Sequence, residues 1–248
     1  MPDPSERRAP AATAVTLIAV SGLLACLVYA GSILRDVRSP ARQVTVKGFA
    51  QRGVRSDFVI WTGSLTARSQ EMAKAYEKIE ANLARVIAFL AAKGIAREQI
   101  AVSPVSIRAR FRQGGQGYLT NEIELYELGQ TLTLSSKDVA TVETVSKEVT
   151  GLIREGVELV SNAPRFYYTG LDDLKIEMLG AAAADAKLRA AEIADKTGAK
   201  LGKLSSASQG VFQITPAHST EISGEGMYDT SSIEKTVRAV VTLSFALD

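Results

Sequence analysis

The stretch 172-DDLKIEMLGAAAADAKLRAAEIADKTGAKLGKLSSAS-208 decides how the rest of the chain is read. Ile176, Leu179, Ala183, Ala186, Ala190 and Ile193 recur at steps of three and four, the period of one helix face. On the other face Asp185 with Arg189 and Glu192 with Lys196 stand four apart, where opposite charges attract along a helix. Asp172 and Asp173 open the helix as caps that complement its dipole, and Gly198 stops it. Its apolar face is mostly alanine, so it is built to approach a sheet or a second helix closely.

Toward the C-terminus, strands are predicted in 201-LGKLSSASQGVFQI-214 and 234-EKTVRAVVTLSFALD-248, the latter with Val237, Ala239, Val241, Leu243, Phe245 and Leu247 on one face. Between them, 215-TPAHSTEISGEGMYDTSS-232 is rich in Gly, Ser and Thr and has no apolar period, which predicts a mobile loop.

Toward the N-terminus, 164-PRFYYTG-170 reads as a short strand. Lys137 to Arg154 reads as a helix, with Val142, Val145, Val149 and Leu152 as its stripe. Val105, Ile107, Ala109 and Phe111 alternate with polar residues, as does Ile123 to Leu134 less strictly, so these segments form an antiparallel hairpin around the glycine-rich tip 113-QGGQGYLTN-121. Residues 69 to 94 form a long amphipathic helix with stripe Met72, Tyr76, Ile79, Leu83, Val86 and Leu90, capped by Ser69 and stopped by Gly94. Strands at 44-VTVKGF-49 and 58-FVIWTGSLTA-67 precede it, with a turn at Gln51 to Ser56. The fold class is therefore α+β: one domain over residues 43–248, with antiparallel sheet packed by three helices.

Ahead of that domain the chain is uncharged from Ala11 to Leu34, long enough as a helix to cross a hydrocarbon core of about 30 Å. Three fates are open to it. Arg7 and Arg8, the apolar run Val15 to Leu27 and Val28-Tyr29-Ala30 fit a signal peptide cut near Ala30. Leu23-Leu24-Ala25-Cys26 resembles a lipobox, although the residues after Cys26 stay apolar. Retention as a single-pass anchor accounts for the apolar run continuing to Leu34, and is the preferred reading. The division is then a cytoplasmic tail at 1–10, an anchor at 11–34, a linker at 35–42 and the domain at 43–248. Counted literally, Arg7 and Arg8 against Arg35, Arg38, Arg42 and Lys47 place the domain in the cytoplasm, a rule that is weak for long translocated domains.

Lys plus Arg number 29 and Asp plus Glu 27, a balance that excludes a basic nucleic-acid groove. The single cysteine lies in the apolar segment, so the domain has no disulfide, thiolate nucleophile or cysteine metal site. His218, the only histidine, reads as an exposed loop residue and not as part of a triad with Ser219 and Glu221. The glycines at 114–117 lack the spacing and following helix of a phosphate cradle. No catalytic, cofactor-binding or metal-binding residues are predicted, and the chain reads as a non-enzyme. The candidate partner or self-association surface is aromatic: Phe166, Tyr167 and Tyr168, with Trp61 and Tyr118; rings on both faces of the 166–168 strand mean either a central buried strand, the preferred reading, or an outer face meeting a partner.

The succession VTVKGFAQRGVRSDFVIWTGSL, AAKGIAREQIAVSPVSI, YELGQTLTLSSKDVATVETV, the Ala-rich helix with its KTGAKLG exit, and VRAVVTLSFAL resembles the SIMPL-domain family over nearly all of residues 43–248. Bacterial members include periplasmic immunogenic and oxidative-stress-defence proteins. The resemblance implies an α+β domain on the periplasmic side of the bacterial inner membrane and assembly into ring-like or channel-like homo-oligomers. It implies no catalytic motif. Itself and the membrane, through residues 11–34, are the expected partners; a free periplasmic form cut near Ala30 and a form lipidated at Cys26 are the alternatives.

Overall fold

A computed structural model describes residues 42–248 of the chain; the proposed tail, the anchor or signal segment at 11–34 and the linker up to residue 41 lie outside the described residues. In chain order the elements are β1 (Gln43–Arg55), β2 (Phe58–Ser69), α1 (Met72–Ala92), β3 (Ile100–Val102), β4 (Ser106–Gln113), β5 (Leu119–Ser136) and α2 (Val139–Glu148), which runs on as a 3-10 helix over Val149–Glu155. Then come β6 (Leu159–Ser161), β7 (Arg165–Tyr167), α3 (Leu171–Lys196), β8 (Leu201–Gln209), β9 (Gln213–Pro216), β10 (Met227–Tyr228) and β11 (Glu234–Leu247). The described residues form an α+β fold with three α-helices and two sheets, ordered β1-β11-β9-β10 with β8 also on β11, and β3-β5-β2-β6 with β4 on β5 and β7 on β2. β11 with β9, β2 with β5, β6 and β7, and β5 with β3 and β4 pair antiparallel, and β9 with β10 pairs parallel.

The chain divides into two compact units. The larger holds Val46–Arg189 and Ala207–Leu243, and the smaller takes residues 42–45 with Ala190–Ser206 and Ser244–Asp248. In the smaller unit Lys200 and Asp248 exchange backbone hydrogen bonds at 3.0 Å, and Thr45 and Ser244 join through their hydroxyls at 2.9 Å.

In the larger unit the core lies between α1, α2 and the second sheet. Val59, Trp61, Leu65 and Ala67 alternate along β2 and are fully or almost fully buried, as a strand with one covered face requires. Trp61 lies over Gly63, where a Cβ would come within 2.7 Å of the indole. Its ring N–H donates to Ser161 Oγ at 2.9 Å, and that hydroxyl donates to the Ser146 carbonyl at 2.6 Å. The buried indole thereby keeps its polar handle satisfied. Asp138 caps α2, accepting from the Thr141 N–H at 3.0 Å, and the Thr141 bonds hold its carboxyl below the usual range. Val142, Val145, Val149 and Leu152 are all buried, as their spacing predicts.

Helix α3 meets β1 by close approach. A Cβ on Gly48 would come within 2.6 Å of the Ala186 Cβ and closer still to the Ala182 carbonyl, so glycine and alanine together bring strand and helix to backbone contact.

Several expectations are corrected. The buried stripe of α3 is Leu171, Leu174, Met178, Ala182, Ala186, Ala190 and Ala194, whereas Ile176 is 72% exposed. Alanines on every side of 181–184 leave that helix without a legible phase. The stripe of α1 passes through Ala75, Ile79 and Asn82 rather than Met72 and Tyr76, and Glu71, not Ser69, occupies the N-cap; Gly94 does stop it, at φ +82°. Gln51 to Arg55 is strand, not turn, and β1 and β2 lie in different sheets. The chain crosses at Ser56 and Asp57, whose N–H groups donate to the carbonyls of Ile233 and Tyr167 at 2.9 Å.

The 215–232 segment is tied down rather than loose. Its β10 pairs with β9, and Gln213 donates to the Ser223 carbonyl at 2.6 Å. Lys235 and Asp229 form an ion pair at 2.9 Å with side chains only 2% and 8% exposed. Burial by itself raises the Asp229 carboxyl, but hydrogen bonds from Ser231, Ser232 and Lys235 outweigh it and hold the group well below the usual carboxylate range.

Candidate interaction surface

Strand β5 outruns the rest of its sheet. From Tyr126 to Ser136 it pairs with β2; nearer the tip it has β4 alone, so residues 109–126 form a two-stranded arm. Residues opposite one another in an antiparallel pair share a face. Trp61 opposes Leu134, Gly63 opposes Leu132 and Ala67 opposes Leu128, which marks the covered face of β5. On the same face of the arm stand Ile107 opposite Leu128, Ala109 opposite Tyr126, and Phe111 opposite Ile123. The apolar stripe of the core thus continues along the arm, but Ile107 is 57% exposed and Phe111 and Ile123 are each 42% exposed. At the tip Gly117 takes φ +82°, the Gly114 N–H donates to the Tyr118 carbonyl at 2.9 Å, and Tyr118 and Leu119 stand out in solvent.

The opposite face is charged. Arg108, Arg110 and Arg112 alternate along β4, with Arg112 3.0 Å from Glu122, and Arg110 and Arg108 3.3 and 3.7 Å from Glu127. Glu127 also accepts from Arg68 on β2 at 2.8 Å, and Arg68 and Lys78 meet Glu158. The Arg68 guanidinium beside Glu127, with Arg110 adding to it, holds that carboxyl below its usual range. Exposed pairs of this kind contribute little stability; their consequence is that the three arginines of β4 are answered within the arm and its base. Two shallow depressions border the network, one lined by Arg68, Ile153, Glu158 and Val160, the other by Ser106, Arg108 and Glu127. Register shifts around Phe111 break the regular ladder of β4.

The aromatic residues expected to form one surface are separated. Trp61 is fully buried and Phe166 is 6% exposed, with its N–H donating to the Thr230 carbonyl at 2.8 Å, so both belong to the interior. Two-sided apolarity in 166–168 thus reflects burial on one side. Tyr167 and Tyr168 are half-buried, and the Tyr167 ring stands 6.5 Å from Tyr228. Burial raises the Tyr228 hydroxyl, helped by Tyr167 and Asp172. Tyr118 alone of the five is fully outward, at the arm tip. Ile107, Phe111 and Ile123 carried the signal that was missed: alternating apolar residues in a hairpin with no amphipathic helix left to cover them.

His218 is exposed, at φ +64°. Among the described residues no three of His, Cys, Asp and Glu gather to hold a metal ion, and no helix is long and apolar enough to cross a membrane.

A family model for SIMPL, described as "Protein of unknown function (DUF541)", matches residues 44–245. The chain belongs to the SIMPL family. The match takes in both sheets, all three helices and the arm, so the arm of this SIMPL protein lies inside the family domain and is not an appendage to it. No curated protein matches the chain.

Proposed function

We propose that this SIMPL protein is a cell-envelope binding or scaffold protein that assembles with copies of itself, in a ring-like homo-oligomer, and acts by association rather than by catalysis. Residues 11–34 hold it in the inner membrane with residues 43–248 in the periplasm. The observation that carries the reading is the uncovered apolar face of the arm, since a soluble domain that continues its core stripe into solvent is shaped for a partner. Tethering at a bilayer raises the effective concentration of copies, so a modest surface suffices for assembly. Compartment, ring form and a role in envelope or oxidative stress come from the resemblance to periplasmic immunogenic and stress-defence proteins.

Fractionation of the native protein, intact mass and light scattering in detergent test this. The expected result is an N-terminus near Met1 in the membrane fraction and a particle of several chain masses. A monomer at every accessible concentration removes the reading. A soluble product starting at Gly31, or one lipidated at Cys26, removes the spanning anchor and leaves assembly standing.

A further inference from the structure

We propose that the apolar face of the β4–β5 arm is the surface through which two copies of this chain join, face to face about a two-fold axis. The inference rests on the self-assembly reading above and supplies one of its contacts, a two-fold contact that closes pairs; a ring needs a second contact between pairs.

Area supports a whole-protein partner. Ile107, Phe111, Leu119, Ile123 and the tip residue Tyr118 are 57%, 42%, 68%, 42% and 74% exposed. With a side chain of this size presenting on the order of 200 Å², they leave roughly 600 Å² open, the upper end of what one apolar patch on a monomer reaches. A standard interface buries about 800 Å² per partner, so this patch with its polar rim supplies one side of such an interface.

Charge selects the second copy and the face. Ile107, Ala109, Phe111 and Ile123 carry no charge, while Glu124 shares a hollow with Ala109, Phe111 and Leu119; the apolar row itself does not repel its own image, and an isologous contact requires only that a surface complement itself. The edge of β4 cannot serve in the same way. Antiparallel pairing of two β4 strands about Arg110 sets Arg110 against Arg110 and Arg108 against Arg112, and like charges directly opposite destabilise a ladder. A bilayer is the poorer occupant, because β4 has one flank of unpaired backbone groups and hydrocarbon tolerates no open sheet edge. Glu122, its side chain 69% exposed, would have to enter with it.

The test compares the full-length wild type in detergent with Phe111→Glu and Ile123→Glu, and with Leu188→Glu at a 70% exposed position of α3 as the control. Sedimentation or light scattering over a concentration series gives each dissociation constant, with circular dichroism melts showing that each variant folds. The arm variants are expected to weaken association by at least about tenfold and Leu188→Glu to leave it unchanged. Wild-type assembly that survives both arm variants overturns this inference alone. Equal loss in Leu188→Glu overturns it as well. A monomeric wild type overturns the self-assembly reading together with it, and arm variants that lose binding to anionic vesicles while still associating identify a bilayer as the occupant instead.

Discussion

Two long excursions leave the sheets, and they resolve their chemistry in opposite ways. The 217–232 loop has the composition of an unstructured segment, yet it closes on itself through the buried Lys235–Asp229 pair, the Gln213–Ser223 bonds and β10. The β4–β5 arm is backbone ladder, yet a row of its apolar side chains stays partly open to solvent, Ile107 at 57% and Phe111 and Ile123 at 42%. Backbone order and side-chain burial are separate matters: the loop ties its buried charge and amide groups together internally, while the arm is ordered backbone with a contiguous apolar row left open. The partner surface proposed above is therefore placed on the arm.

The largest effect expected from breaking this contrast is in the loop. Asp229→Asn leaves a buried ammonium without its counter-charge, a change that costs about 3–5 kcal/mol where buried pairs are broken from one side. Trp61, the only tryptophan and fully buried, reports the unfolding transition in denaturant by its fluorescence. A shift of less than about 1 kcal/mol would show the pair to be dispensable. Acid sharpens the same point. The folded carboxyl of Asp229 lies below its unfolded value of about 3.9, so its contribution is fully present above that pH and declines as pH falls further. Asp229→Asn lacks this component, and the difference in stability between the two chains is expected to narrow steadily below about pH 4.

On the arm the effects on monomer stability shrink. Gly117→Ala places a side chain at φ +82° in the tip turn and is expected to cost about 1 kcal/mol. Phe111→Ala removes a side chain 42% exposed in the monomer, so in the dissociated chain it is expected to cost no more than about 1 kcal/mol. A loss of several kcal/mol there would mean that the arm is already covered.

How much of this was legible in the sequence depended on how strongly each side chain marks its own surroundings. The alternation Val237 to Phe245 and the stripe Val142 to Leu152 were readable because their apolar residues recur at strand and helix spacing and are buried there. The face of α3 was not, because alanine is equally at home inside and outside and Ile176 and Leu188 sit outward. Three-residue β6 gave too short a pattern, and the crossing from β1 to β2 depends on partners more than a hundred residues away. The hairpin and its tip were readable, and Tyr118 with them. Which aromatic rings were buried was not, since Trp61 and Phe166 owe their burial to strands and helices joined only in three dimensions. The Lys235–Asp229 pair was hidden because two charges in a polar segment look like solvated surface.

The most direct test of the central claim is hydrogen exchange of the full-length protein, followed by mass spectrometry of the peptides covering 106–126 at high and at hundredfold lower concentration. The account predicts that these amides exchange slowly when the protein is concentrated and faster on dilution, while those of 128–136 stay protected throughout. Exchange in the arm that is equally fast at both concentrations would contradict it.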